Sequence, residues 1–316
     1  RKDILIQRSS LPSMAGFDAS IYANMGEMDN KGVDAKLEYQ TRIGNKVGLR
    51  LFGNLTYSKN KIVFRDEPAM QYAYQKSEGT RYGEFYGYIA EGYFQSEEEI
   101  KKSPRQMREL APGDIKYKDL NDDGVIDAND QCYLGKSWFP SWSYGMGFNI
   151  NYHNFDLALF FQGVSDVSIM ANGGYIDTGN GDWGASGVGI VPFTGMRLNP
   201  SNVITKALDR WTADNPRADA WYPRMTANAT TNDNNYVNST HWLKDGSYLR
   251  LKQASLGYTL ENKKLMDKGI EYLYFYLSGQ NLLTFSKFKL WDPELGSNGA
   301  KYPLSRMVTL GMRVSF

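Results

Sequence analysis

The residues with the clearest chemical pattern are acidic and lie in one short stretch of the chain. This stretch, DLNDDGVIDAND, offers oxygen ligands at Asp119, Asn121, Asp123, Val125, Asp127 and Asp130. The spacing fits the D-x-[DN]-x-[DN]-G loop of EF-hand type, and calcium takes about six to eight hard oxygen ligands. Gly124 permits the sharp turn, and Val125 contributes its main-chain carbonyl. The pattern predicts a Ca²⁺ site that stiffens a loop.

The last position of this acidic loop departs from the EF-hand pattern. Asp130 stands where EF-hands carry a longer glutamate, so two-oxygen binding of the ion is harder to reach. Dockerin-type loops tolerate the shorter side chain, but no strong helical pattern flanks the loop on both sides. The alternative is an acidic turn held by Asx hydrogen bonds without a metal.

Tryptophans in long, irregular segments form the second set of candidate site residues. Trp183, Trp242 and Trp291 are the candidates for substrate binding, because a flat indole stacks on a sugar face. Glycines surround Trp183, which makes it the strongest of the three. The alternative is that such rings pack loops together or meet a partner protein. Trp211 has helical spacing from Val203 and Ala207, which favours packing.

Enzyme motifs are absent from the sequence. The two histidines are His153 and His241, and no G-x-S-x-G, H-E-x-x-H or Walker pattern occurs. Acidic residues are numerous enough that a carboxylate pair for glycoside hydrolysis stays open, although a polar channel lining explains them without chemistry. The sequence therefore predicts a protein that is not an enzyme.

Composition excludes several further classes. The net charge of +1 gives no electrostatic case for nucleic acid binding. The mean hydropathy is −0.52 and no run of about 18 apolar residues occurs, which excludes a transmembrane helix. The single Cys132 excludes a disulfide within the chain. Aromatic residues make up 14% of the chain, an excess typical of membrane girdles or of sugar-binding proteins.

Strict alternation of apolar and polar residues identifies the elements that position these candidates. Residues 144–163 read YGMGFNINYHNFDLALFFQG, two period-two runs joined at His153–Asn154. This pattern predicts a β-hairpin with one apolar face and one polar, glycine-containing face. A strand pair of an outer-membrane barrel has this appearance, with lipid on one side and water on the other.

The connections between the predicted strands alternate strictly between short and long. Short ones are predicted at 44–46, 153–154 and 261–270, and long ones at 9–32, 59–142, 164–246 and 286–305. Outer-membrane barrels combine short periplasmic turns with long extracellular loops. We therefore expect an all-β, antiparallel arc of about eight strands in an integral outer-membrane barrel. The insertions 59–142 and 164–246 are then extracellular, and the C-terminus lies on the periplasmic side.

Three further expectations follow from these patterns. A phase slip near Gln253 predicts a β-bulge, and SEEEIKK at 96–102 predicts a capped helix. The strand-like opening at Arg1 suggests that the chain is part of something larger. Eight residues are expected to face lipid: Val33, Leu37, Leu49, Phe148, Leu157, Leu159, Leu310 and Val314.

Several segments resemble the C-terminal portion of SusC/RagA-type TonB-dependent transporters of Bacteroidetes. They are 112–164, 30–40, 247–260, 274–294 and the closing strand that ends at Phe316. The resemblance implies a barrel of roughly 22 strands whose N-terminal plug and TonB-contacting segment lie outside this chain. It implies TonB-powered uptake of oligosaccharides or peptides, a SusD-like surface lipoprotein as partner, and a dimer of transporter–lipoprotein pairs.

Two other readings of the pattern stay open at this point. One is a soluble, secreted carbohydrate-binding β-sandwich with a dockerin-like calcium loop, in which the eight apolar residues pack into one protein core. The other is a structural surface protein that uses a barrel only as an anchor.

Overall fold

The structure is a computed structural model that describes most of the chain. The described residues are 1–10, 21–44, 46–172, 175–177, 183–185, 205–225, 234–297, 299 and 302–316, with the backbone alone given for 175–177 and 183–185. Antiparallel strands dominate these residues, and the helices among them are short.

The strands in chain order are β1 (Ile4–Gln7), β2 (Tyr22–Ile43), β3 (Val47–Phe64), β4 (Glu84–Gly87), β5 (Ala90–Tyr93), β6 (Ile115–Tyr117), β7 (Cys132–Ser137), β8 (Trp142–Tyr152), β9 (Phe155–Ser165), β10 (Ser168–Met170), β11 (Tyr175–Asp177), β12 (Trp183–Ala185), β13 (Leu243–Asp245), β14 (Tyr248–Leu260), β15 (Tyr272–Ser286) and β16 (Met307–Ser315). The α-helices span Glu97–Lys102 and Lys263–Met266, and 3₁₀ turns span Ala73–Gln75, Ala128–Asp130, Thr205–Leu208 and Pro293–Leu295.

One eight-stranded antiparallel sheet organises the fold. Its strand order is β1-β2-β3-β8-β9-β14-β15-β16, and the smaller strands pair among themselves within the long connections. The register places apolar residues opposite one another from strand to strand. Leu51 pairs with Phe148, which pairs with Leu159 on the next strand. Farther along the sheet, Leu256, Leu277 and Leu310 are paired in the same way.

This apolar face of the sheet, the outward face, is left open by the residues that the structure describes. Val33, Leu37 and Leu310 are 66%, 75% and 81% exposed. The other five residues expected to face lipid are half-buried by their neighbours in the sheet: Leu49, Phe148, Leu157, Leu159 and Val314. The sandwich alternative required all eight to be sealed in a protein core, and the structure contradicts that requirement.

The opposite, inner face carries polar residues, and aromatic rings lie over its glycines. A side chain at Gly147 would meet the Phe52 ring at 2.6 Å, and one at Gly311 would meet the Tyr276 ring at 2.2 Å. At Gly257 the space is taken by Tyr274, whose hydroxyl donates to the carboxylate of Asp156 at 3.0 Å. Because each ring packs on a glycine of a neighbouring strand, these contacts help to fix the register of the strands on the inner face.

Short and long connections lie at opposite ends of the sheet, as the alternation of lengths predicted. The short end carries 44–46, 153–154 and 261–271, and the long end carries 8–21, 65–141, 166–247 and 287–306. The sequence placed two boundaries wrongly here. Residues 22–32 belong to β2 and not to a loop, and the first insertion begins at residue 65, not 59. The hairpin extends past the end of the clear alternation because β2 and β3 stay paired there, from Lys31 opposite Lys59 to Glu27 opposite Phe64.

Two local predictions are confirmed. The register of β14 shifts between Leu251 and Gln253 against both of its neighbours, which is the expected bulge. The helix Glu97–Lys102 begins after Ser96, whose hydroxyl accepts the Glu99 amide at 3.2 Å. Within the described residues, no helix has the length and apolar character needed to cross a membrane.

Candidate functional site: a core shared by two insertions

The two large insertions at the long end of the sheet fold together around one hydrophobic core, called the shared core below. The first insertion (65–141) supplies Tyr88, Tyr93, Ile115, Tyr117 and Ile126, and the second insertion (166–247) supplies Met170, Ala207, Trp211, Ala220, Tyr222, Tyr236 and Trp242. All of these residues are buried. The insertions therefore form one body at the long end and not two independent loops.

Trp242 lies at the centre of the shared core with no exposed surface. Its ring stacks on Tyr236 at 5.3 Å and meets Trp221 and Tyr222 edge-on. Its indole N–H donates to the carbonyl of Asn235 at 2.7 Å. Because every face of the ring is covered, Trp242 packs the core and presents no surface for a sugar.

A buried ion pair connects the two insertions beside this aromatic cluster. Asp114 is fully buried, and Nη2 of Arg224 donates to its Oδ2 at 2.9 Å while Nε lies 2.6 Å from Oδ1. The Asn235 amide donates to the same carboxylate at 2.7 Å, and so does the Ala111 backbone at 2.9 Å. A buried carboxylate is tolerated only with such full pairing.

Buried amide side chains add hydrogen bonds between the insertions. Asn234 and Asn235 are fully buried. The amide group of Asn234 donates to the carbonyl of Ile115 at 3.0 Å, and Oδ1 of Asn235 accepts the Ile115 N–H at 2.8 Å. Gln106 donates to Asn234 at 2.9 Å and accepts the Tyr117 N–H at 2.7 Å. The β6 backbone is thus held by Asn234 and Asn235 of the second insertion together with Gln106 of its own insertion.

His241 is buried at the edge of the shared core and is held neutral. Burial, and to a lesser degree the ammonium of Lys244, lowers the pKa of His241 to about 3. Its Nε2 lies 3.2 Å from the Trp221 carbonyl and 3.4 Å from the Tyr93 hydroxyl, which itself donates to Ala220 at 2.8 Å. These contacts fix the orientation of the ring within the core. His241 therefore serves packing.

Arg81 fastens the base of both insertions to the sheet. It donates to Asp166 at 3.0 Å, at the start of the second insertion, and to Ser141 at 2.8 Å, just before β8. The Ser141 hydroxyl also hydrogen-bonds to Asp166. The two insertions are therefore tied together at their roots as well as through the shared core.

The last long connection, 287–306, packs against the same body. Phe288 is buried with Ile169 and Ala171 of the second insertion. Arg250, on the inner face of β14, is almost fully buried, and its Nη2 donates to Asp292 at 2.5 Å. Trp291 is half-buried, meets the Phe288 ring edge-on, and donates to the Gly296 carbonyl at 2.8 Å.

The acidic loop 119–130 lies on the first insertion and closes on itself through Asx turns. Asp119 accepts the Gly124 N–H at 2.8 Å, and Asp123 accepts the Val125 N–H at 2.9 Å. Asp130 is fully buried, and its two oxygens accept the N–H groups of Leu120 and Asp127 at 2.7 and 2.8 Å. Gly124 has the positive φ, +81°, that the turn requires.

The donor set of this loop fits calcium only in part. Oδ1 of Asp119 is buried and accepts no hydrogen bond in the structure. Asp130, by contrast, already uses both oxygens to hold the loop, and the Asn121 amide group donates to Asp123 at 2.8 Å. Among the described residues, no three His, Cys, Asp or Glu side chains gather closely enough to hold a metal. An ion here would need the Asn121 amide oxygen and the Val125 carbonyl as well.

The remaining predicted tryptophan sites divide by location. The Trp183 side chain lies outside the described residues, although its backbone belongs to β12. Trp211 is buried in the shared core against Gly113, which confirms its predicted packing role. Of the predicted helical pattern Asn202 to Trp211, the described part from residue 205 contains the one-turn 3₁₀ segment Thr205–Leu208.

Comparison with known proteins finds similarity over the whole chain to TonB-dependent receptors. No family model matches the sequence. TonB-dependent receptor P3 of Formosa agariphila is 27% identical over a 343-residue alignment, and SusC of Bacteroides thetaiotaomicron is 22% identical over 329 residues, each covering 100% of this chain. The homologues of this chain are TonB-dependent receptors. The chain spans about a third of the length of these curated relatives, 31% and 29% respectively.

The fold agrees with that relationship. The structure titled as the RagAB peptide importer in the 'open-open' state superposes with a TM-score of 0.70 at 23% identity, over 100% of this chain and 31% of its own. A second RagAB structure, titled as a peptide transporter, gives the same score. The resemblance to SusC/RagA-type TonB-dependent receptors, inferred from sequence segments, is therefore confirmed. These relatives are receptors and transporters and not enzymes, as the sequence predicted.

Sequence reasoning did not find the shared core or its ion pair. Asp114 and Arg224 lie 110 residues apart, and the buried amides at 234 and 235 sit in a run of asparagines that reads as a polar loop. The one available signal was the density of Tyr and Trp in both insertions. At Trp242 the sequence analysis interpreted that signal as substrate binding, and the complete burial of the ring shows that this prediction was wrong.

Proposed function

We propose that the protein containing this chain imports nutrients across the outer membrane in a TonB-dependent manner. The observation that carries the proposal is the apolar outward face, which runs over the seven long strands β2, β3, β8, β9, β14, β15 and β16, with a polar inner face behind it. A face of this kind is stable against acyl chains and unstable against water.

The height of the apolar face supports a membrane span. On β3 it runs from Val47 to Tyr57, about 33 Å along the strand at about 3.3 Å per residue. At a strand tilt of about 40° this gives a band about 25 Å tall, the usual apolar height of outer-membrane barrels. Relatives about three times as long support a larger barrel, roughly 22 strands, of which this sheet is an arc.

The proposal puts the long end of the sheet, with its shared core, at the cell surface and the end of β16 on the periplasmic side. A body that presents two joined insertions offers a rigid platform for a SusD-like lipoprotein. TonB would act through a segment outside this chain. The proposed cargo is an oligosaccharide or a peptide, and two transporter–lipoprotein pairs form the proposed dimer.

Uptake by living cells tests the proposal. Cells lacking the full-length gene, cells complemented with it, and complemented cells with TonB inactivated are supplied with labelled oligosaccharides or oligopeptides. We expect outer-membrane localisation, co-purification of a lipoprotein, and uptake that requires both the gene and TonB. A protein found in the membrane whose loss leaves the uptake of every cargo unchanged would instead support a surface anchor.

Calcium in the acidic loop remains a proposal of its own. We infer that Asp119, Asn121, Asp123, Val125 and Asp127 supply oxygens to one structural Ca²⁺, with Asp130 holding the loop. The unpartnered Asp119 oxygen supports this assignment. Terbium luminescence on the purified full-length protein should show one calcium-displaceable site that Asp123→Asn weakens, whereas Asp122→Asn, outside the ligand set, leaves it unchanged. Equal signals from both variants exclude the site.

Substrate contact by tryptophan is proposed for Trp183 and, more weakly, for Trp291. Glycines flank Trp183 in the sequence, and Trp291 keeps part of its ring exposed. We expect Trp183→Ala to lower affinity for an oligosaccharide cargo about fivefold or more, since the loss of one stacking ring costs at least about 1 kcal/mol. Unchanged affinity in that variant removes Trp183 from the proposed site.

A further inference from the structure

Two lysines stand directly opposite each other just beyond the apolar face. Lys31 of β2 pairs in register with Lys59 of β3, and both side chains are exposed. The register is regular from Met28 to Ile43, so Lys31 lies on the same face as Val33, and Lys59 on the same face as Tyr57. Both lysines therefore point outward, on the lipid side of the sheet.

Their height relative to the apolar band is defined by the residues below them. Val33, Tyr57 and Trp142 are paired across three strands and form the upper row of the band, with the Tyr57 and Trp142 rings 4.5 Å apart. The lysines occupy the next outward position, two residues and about 6.6 Å farther along each strand. That height is where headgroups begin above an aromatic girdle.

The charge at this position is unbalanced. Like charges directly opposite on neighbouring strands repel each other. Among the described residues, neither lysine has a carboxylate within ion-pair distance. The next outward pair along the hairpin, Asp29 opposite Lys61, is neutral in sum and leaves the two lysines uncompensated. An anion between them would remove the repulsion.

We propose that Lys31 and Lys59, above the Tyr57–Trp142 aromatic row, bind the phosphate-bearing headgroup of an outer-leaflet lipid. Each ammonium offers three N–H donors, and a phosphate accepts from both strands at once. The aromatic rings contact the upper part of the lipid, where amphipathic rings are favoured. The inference rests on the proposed membrane location, and it adds a specific lipid site to a surface that otherwise recognises only acyl chains.

Lipid retention by the purified full-length protein tests the site. The protein in a neutral detergent is incubated with diphosphorylated lipid A or with its phosphate-free form, and bound lipid is counted by native mass spectrometry. Lys31→Gln/Lys59→Gln should retain phosphorylated lipid about 25-fold more weakly, about fivefold per lysine, as for basic residues at anionic membrane surfaces. Phosphate-free lipid should bind weakly to both proteins.

A double variant on the same hairpin provides the matched control. Lys36 lies on the inner face of β2, and Lys46 lies in the turn at the short end, so Lys36→Gln/Lys46→Gln removes the same charge elsewhere. The control should retain lipid like the unaltered protein. Equal retention by the two double variants, or equal binding of phosphate-free lipid, overturns the proposal. Competition by millimolar inorganic phosphate as strong as that of lipid also overturns it, because the site would then bind a free anion.

Assembly in the outer membrane distinguishes failure of the lysine site from failure of the proposed function. Both double variants are checked for outer-membrane location and for the heat-modifiable mobility of a folded barrel. Absence of the unaltered protein from the membrane refutes the proposed function, whereas an assembled lysine variant that has lost no lipid refutes only the lysine site. If the lysine variant alone fails to assemble, single Lys31→Gln and Lys59→Gln proteins replace it, each with an expected fivefold loss.

Discussion

Asp114 of the first insertion and Arg224 of the second form an ion pair whose carboxylate has no access to solvent, with 2.9 Å between Nη2 and Oδ2. The pair lies beside a core to which both insertions contribute. The long end of the sheet is therefore held together by tertiary interactions, and its stability can be measured apart from that of the strands.

Replacing Asp114 by Asn should open the insertions. The change leaves a mostly buried guanidinium without its counter-charge, and breaking a buried pair in this way costs about 3 kcal/mol. Limited proteolysis of the folded protein should cut both insertions at least about tenfold faster, while the strands of the large sheet stay uncut. Asp219→Asn, at a highly exposed carboxylate of the second insertion, is the control and should change nothing. Cleavage confined to one insertion would contradict a jointly stabilised body.

Removing the Trp242 side chain should have a larger effect of the same kind. Large-to-small changes at a fully buried aromatic position cost about 3–5 kcal/mol, through lost contacts and the cavity left behind. Hydrogen exchange should rise across the residues that line the shared core in both insertions. Leu208→Ala, in the same insertion but 77% exposed, should leave exchange near its original level. If Trp242→Ala weakens cargo binding with protection unchanged, the packing role is refuted.

Acid should weaken the insertions through His241. Its folded pKa of about 3 lies below the ordinary value of about 6.5, so the opened chain binds a proton that the folded one does not. Stability is then lost as pH falls from about 6.5 toward 3, by about 1.4 kcal/mol per unit. Between pH 7 and 5 the loss is about 2 kcal/mol. Hydrogen-exchange protection of the insertions should therefore fall less with acid in His241→Gln than in the unaltered protein, by that amount. If the two proteins lose protection in parallel as pH falls, other groups govern the acid response.

Gly257→Val tests the packing of rings on glycines along the inner face. A side chain there would meet the Tyr274 hydroxyl at 2.2 Å and Asp156 at 2.4 Å, and overpacking of this kind costs about 1–3 kcal/mol. We expect less folded protein in the outer membrane and a lower temperature for loss of heat-modifiable mobility. Gly53→Val is the control, because its nearest neighbour lies at an ordinary 3.6 Å and the position faces outward. Comparable losses in both variants would show that the inner rings do not set the register.

The sheet was predictable because its signal is local. Alternation with period two fixes which residues share a face, and the phase slip near Gln253 located the bulge from the residues alone. The ends of β2 and β3 were not predictable in this way. Residues such as Asn24, Gly26 and Asn30 favour turns, and only pairing with β1 and β3 holds them extended.

The candidate site was less accessible from sequence, since its contacts join distant segments. Tyr117 and Tyr88 pack with Trp242 and Tyr236, more than 100 positions away, and no periodicity marks any of them. The acidic loop shows the opposite case. Its spacing was clear from the sequence, yet only the structure reveals that both carboxylate oxygens of Asp130 accept backbone N–H groups of the loop.

Because the two insertions complete each other's interior, neither is a unit that can be exchanged by itself. A chimera that receives one insertion from a relative of different cargo would unite mismatched halves, leaving Asp114 or Arg224 without its complement. Recombination, natural or engineered, should therefore move residues 65 to 247 as a single cassette. In that cassette the hairpin β8–β9 lies between the two insertions, so exchanging them would also replace two central strands of the large sheet.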